Sequence, residues 1–161
     1  MPKTSASKPR NTQGKLPSKL LSKLLQRIAS TTSSAVIEVP AKPFKPDVLM
    51  EMLTKAGFQV TLIDPADQPA IQNKDALLRA LHANRSLPKH FGFNWDALVD
   101  SLSDLTPGDA KGFVLILQQP QTLRAQSPED YATFVTVMGE VSARWAAEGV
   151  PFKLLLPKAA A

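Results

Sequence analysis

Cysteine is absent from the 161-residue chain, histidine occurs only at positions 82 and 90, and no apolar run approaches the roughly 20 residues of a membrane-spanning helix. The first absence excludes disulfides, thiolate metal sites and a cysteine nucleophile, and agrees with a reducing, cytoplasmic setting. Two imidazoles would leave a zinc site dependent on several carboxylates, an uncommon ligand set, so neither a metal nor a cofactor is expected. Phosphate-cradling glycine patterns, a GxSxG elbow and paired histidines at metal-ligand spacing are missing as well. The common enzyme classes are thereby disfavoured, and no catalytic residue is assigned.

Acidic residues are scarce only at the start. Residues 1–46 hold nine Lys/Arg against one acid, Glu38, a net of +8, while 47–161 hold ten basic and thirteen acidic residues, a net of −3. The high isoelectric point belongs to the N-terminal segment, and the body of the protein is mildly acidic. Residues 1–15 are polar, basic and interrupted by Pro and Gly, a composition that cannot offset the entropy of ordering. Then Leu16, Leu20, Leu21, Leu24, Leu25 and Ile28 recur on one helical face, with Lys15, Lys19, Lys23 and Arg27 on another. Two readings stand for this segment: a flexible arm with a marginal helix, or an amphipathic helix that docks on a membrane surface or a partner. The expected organisation is a basic tail over 1–34 and one domain over 35–161.

Within that domain strands and helices alternate, which argues for a parallel sheet covered by helices. Strand candidates are 35–39, FQVTLI at 58–63, FVLILQ at 113–118 and PFKLLLP at 151–157. Asp47, Asn73 and Asn94 read as N-caps, and Ser127-Pro128-Glu129-Asp130 as the start of the longest helix, which runs to Gly149.

The most specific stretch is LPKHFGFNWDALVDSL, residues 87–102. Gly92 permits a turn, Asn94 caps a helix, and Asp96, Asp100 and Asp104 form an acidic stripe opposite an apolar face containing Trp95, Leu98, Val99 and Leu102. Aspartate is a mediocre helix former, and three at intervals of four repel one another without a basic neighbour on the same helix. A cationic partner would relieve that repulsion. A catalytic pairing of His90 with Asp96 or Asp100 rests on residue type alone and is the weaker reading.

At these residues the sequence resembles the barstar family, small inhibitors of guanyl-specific ribonucleases such as barnase. The resemblance covers 59–156 and rests on the pattern LP-x-x-aromatic-Gly-x-Asn-x-Asp-Ala-Leu-x-Asp-x-Leu, followed by a buried strand, a long helix and a last strand. It implies an α/β fold with a small, about three-stranded parallel sheet packed by helices, here preceded by an extra strand and helix. It also implies a monomer that plugs the active site of a basic ribonuclease, in the manner of an immunity protein facing a toxin, by placing carboxylates where RNA phosphate would sit. Carried over by position, Asp100 matches the dominant aspartate and Asp96 the second, Gly92 and Asn94 match the loop that shapes the approach, and Glu148 an acid late in the long helix. His90 stands in place of a contact tyrosine, Val99 and Leu105 in place of tryptophans, and Arg144 in place of a glutamate, a reversed charge that points to a different cognate partner. The alternative is an interaction module on the same fold whose basic tail binds nucleic acid or an acidic membrane.

Overall fold

Six consecutive residues, Gly112–Leu117, are all buried, the signature of a strand covered on both faces. The computed structural model describes residues 18–158 apart from 41, 43, 65–69 and 84–86. The disorder expected over 1–15 and most of the turn expected after Ile63 lie outside the described residues. In chain order the elements are α1 (Ser18–Ala29), β1 (Val36–Pro40), α2 (Pro46–Lys55), β2 (Phe58–Ile63), α3 (Lys74–Ala83), α4 (Trp95–Ser103), β3 (Gly112–Leu117), α5 (Pro120–Gln126), α6 (Pro128–Ala147) and β4 (Phe152–Lys158). No helix among the described residues is long and apolar enough to cross a membrane.

The sheet has four parallel strands in the order β1-β4-β3-β2. Its register sets Val60 beside Val114, Ile116 beside Leu155 and Leu154 beside Val36. The fourth strand is the N-terminal one. It extends the expected three-stranded core because Ile37 and Val39, alternating with exposed Glu38, bury one side of an edge strand.

Alternation along β3 and β4 divides the interior into two cores. Phe113, Leu115, Leu117, Leu154 and Leu156 face one, where α3, α4, α5 and α6 supply Leu77, Leu98, Leu123, Phe134 and Val141. Val114, Ile116 and Leu155 face the other, covered by Leu24 and Ile28 of α1 and Leu49 and Leu53 of α2. Of the amphipathic helix read at 16–28, the described part, 18–29, is helical, and the C-terminal half of its apolar side is occupied: Leu24 is 5 % and Ile28 0 % exposed, while Leu20 stays 44 % exposed. A flexible arm is not what residues 18–29 form, because their leucine stripe completes the second core.

Several cap assignments hold, and one shifts. Asn73 and Asn94 accept from the Ala76 and Ala97 amides at 2.9 and 2.8 Å. Asp47 is not the cap of α2: Lys45 takes that position in extended backbone and Pro46 opens the first turn, since its fixed φ suits a helix start. Ser127 caps α6 by position, but its hydroxyl donates to the Gln72 carbonyl at 2.7 Å, and Asp130 accepts from the Lys74 amide at 2.8 Å. These two bonds tie the start of α6 to the start of α3.

Lys153 is 1 % exposed in a strand that is otherwise apolar until its end. Its ammonium donates to the Ser33 carbonyl (3.1 Å), the Ser33 hydroxyl (3.0 Å) and the Ser34 carbonyl (3.2 Å), fastening the α1–β1 connection to the sheet. Burial, with the Arg27 charge adding to it, holds its pKa below the ordinary 10.5.

Two outcomes follow for stability. Because the folded protein releases the Lys153 proton before the unfolded chain does, unfolding free energy rises with pH through the window between the depressed value and 10.5. Denaturant titrations at alkaline pH should show that rise in the native sequence and not in Lys153→Met. In Gly112→Ala the new Cβ would lie 2.5 Å from the Pro151 carbonyl oxygen and 2.6 Å from its Cγ, a clash with backbone. Overpacking of this kind costs about 1–3 kcal/mol, measurable as a lowered denaturation midpoint with an unchanged slope.

Candidate functional site

The local geometry before α4 is set by three adjacent residues. Phe93 adopts a left-handed backbone with φ of 54°, so the strained position of the turn is a phenylalanine and not Gly92. Gly92 instead sits close to the helix start: a Cβ there would lie 3.3 Å from Asn94 Nδ2, tight against the capping side chain, and 3.5 Å from Ala97 Cβ, an ordinary contact. The Asn94 amide nitrogen donates to the Gly92 carbonyl at 3.3 Å while its oxygen caps the helix, so one side chain closes both the turn and the helix end.

An aromatic cluster holds Phe93 in place. Its ring centroid lies 5.0 Å from Phe91 and 5.1 Å from His82, both edge-on, and the Arg79 guanidinium sits 5.7 Å over its face. Phe93 nevertheless remains 37 % exposed. His82 and Phe93 were missed as site-forming residues. The visible signal was HFGF at 90–93, two aromatic rings bracketing a glycine, but the sequence does not show that α3 supplies the third ring.

The helix itself is anchored by Leu98, Val99 and Leu102, all buried against the first core. Burying each such side chain contributes about 1.5–3 kcal/mol, far more than repulsion between neighbouring exposed charges removes. The Trp145 indole N–H donates to the Leu102 carbonyl at 2.9 Å, satisfying a last-turn acceptor and fixing α4 against α6. With that face committed, Asp96, Asp100 and Asp104 point outward and are exposed. Successive members are about 6 Å apart along the axis, giving a stripe of about 12 Å. None has a basic partner within ion-pair distance among the described residues. Asp96 lies in the first turn, where the helix dipole favours it, but Asp104 occupies the C-cap, where the dipole opposes an acid.

Beside the stripe runs an open groove of about 640 Å³, bordered by Leu87, His90, Gly92, Asp100, Asp104 and Leu105. His90 is exposed on its rim. The structure thus brings Asp100, His90 and Gly92 together, with Asn94 shaping the loop and Asp96 at the head of the stripe. Val99 does not belong to this surface: it is 5 % exposed and turned inward, so the contact expected of it is lost to core packing. Arg144 and Glu148 lie at the end of α6 and do not border the groove. Arg144 pairs with Glu140 one turn earlier at 3.2 Å, with both side chains about half exposed. The arrangement offers an exposed anionic ridge, without an ion-pair partner among the described residues, next to a concave surface, suited to receiving cationic side chains.

The family model described as Barstar (barnase inhibitor) matches residues 63–157, more than half of the chain. The match begins at the end of β2, so α1, β1 and α2 precede it. No curated protein matches the chain.

Asn94→Ala removes the cap and frees the turn, and should cost about 1 kcal/mol of stability by chemical denaturation. Asn94→Asp, which keeps the acceptor, should recover most of that loss.

Proposed function

The chain belongs to the barstar family, and on that premise we propose that it binds a basic ribonuclease and blocks its active site with the exposed face of α4 and the loop before it. Asp100 is the anchor, Asp96 the second carboxylate and His90 a contact on the groove rim. One observation carries the reading: a stripe of exposed aspartates that no basic residue of the described chain neutralises, on a helix whose opposite face is committed to the core. Such a surface is held ready for positive charge supplied from outside. A ribonuclease active site, built to hold phosphate, provides it. Inhibition by occlusion requires no catalytic group, cofactor or metal, and it acts in the compartment where the nuclease must be restrained, here taken as the cytoplasm. The inhibitor is proposed to act as a monomer. His90, and the positive charge of Arg144 where the resemblance has a glutamate, set its choice of nuclease apart from that of the family's barnase inhibitors.

Titrating the purified protein against a panel of basic bacterial ribonucleases, with residual RNA cleavage as readout, should identify at least one that is inhibited at one-to-one stoichiometry. Asp100→Ala should then weaken binding by about 2–5 kcal/mol, at least roughly 30-fold in Kd, a range drawn in part from the barnase–barstar pair. Asp96→Ala should weaken it less, and association should slow as salt is raised. Deleting residues 1–17 should leave inhibition intact. A deletion through 34 is the wrong control, because it strips Leu24 and Ile28 from the second core. Inhibition unchanged by Asp100→Ala would remove the aspartate from the role assigned to it.

A further inference from the structure

The second core has an outer surface that the inhibitory reading does not use. On α1, Lys19, Lys23 and Arg27 are exposed at intervals of four residues, which places them on one face about 6 Å apart along the axis. No acid occurs anywhere in residues 1–37. Among the described residues none of these three side chains has an ion-pair partner, whereas Lys55, Arg79, Arg124, Arg144 and Lys158 each have one. At the C-terminal end of the stripe Lys23, Gln26, Arg27, Ser30 and Ser33 border a shallow groove of about 410 Å³. The buried Lys153 ammonium donates to Ser33, on the groove border, and to the Ser34 carbonyl, and among the described residues it has no carboxylate partner.

We propose that this face of α1, centred on the Lys23–Arg27 groove, is a binding site for the phosphodiester backbone of RNA. Three features point to this ligand. The cations extend over about 12 Å, longer than a single phosphate and suited to a chain of them. The groove borders contain no acid, and the buried Lys153 charge bonded to Ser33 on its edge adds to the positive potential, so an anion there meets attraction without a competing carboxylate on the border. A membrane surface is the poorer fit, because an interfacial helix inserts its apolar face, and with Leu24 and Ile28 buried against the sheet only Leu20 of the described part of that face is exposed. The α1 surface and the acidic α4 surface cover opposite faces of the sheet, so the chain can hold RNA and a nuclease at once.

The test uses the full chain and a labelled single-stranded oligoribonucleotide, with fluorescence anisotropy recorded across a salt series. Substituting Lys19, Lys23 and Arg27 together by Gln keeps helix propensity and touches only exposed side chains, so the fold should be retained by circular dichroism. The expected result is binding whose log–log salt slope is smaller by about 2 in the triple variant, from about 0.7 for each cation lost. A second variant replaces Lys3, Lys8, Arg10 and Lys15 by Gln, and should leave that component in place. Binding and slope unchanged in the triple variant would overturn the site, as would complete loss of binding in the second variant. Capture of the protein by phosphatidylserine vesicles with no affinity for the oligoribonucleotide would also overturn it. Asp100→Ala should leave RNA affinity unaltered, which separates this result from the fate of the inhibitor reading.

Discussion

The burial of Leu98, Val99 and Leu102 against the first core is the constraint from which the rest of this surface follows. A nine-residue helix carrying aspartates in its first turn, its middle and its C-cap would be a poor helix alone. Apolar burial outweighs the mutual repulsion, and the Trp145 indole closes the last turn by taking the Leu102 carbonyl. The aspartates are thus held in a fixed array before any partner arrives. A partner that brings positive charge gains the attraction without ordering a mobile segment, a cost that often erodes affinity.

The same reasoning gives the N-terminal elements a structural role. Two central strands with residues facing both ways need cover on both sides, and α1 and α2 provide it over Val114, Ile116 and Leu155. Lys153 sits on that second side, where an aliphatic residue would suit the strand pattern, and spends its three donors on the α1–β1 connection. The sheet separates surfaces of opposite charge. An acidic helix on one side and a basic helix on the other give the molecule a charge asymmetry that its small net charge conceals.

Much of this was readable in the chain. The continuous apolar run of β3, the Asn caps at 73 and 94 and the register of the aspartates each rest on nearest-neighbour chemistry, which sequence states directly. The helix cap lies two residues before Asp47, at Lys45, because Pro46 takes the first helical position and so puts Asp47 inside the first turn. Phe93 in a left-handed conformation was hidden because the adjacent Gly92 is the residue that such a turn usually requires. Periodicity puts Val99 on the apolar face, where it is buried; the contact role came from matching it by position to an exposed tryptophan, and a small aliphatic side chain at that position packs inward instead.

Local pattern by itself determined the order of strands and helices, the acidic stripe and the division of charge along the chain, since each depends on residues close in sequence. Tertiary structure alone decided that α1 closes a second core, that His82 and Arg79 brace Phe93, and that Asp130 serves the helix beginning at Lys74. Those contacts join residues that only the folded sheet brings together, and their stabilisation depends on how much water the whole assembly excludes.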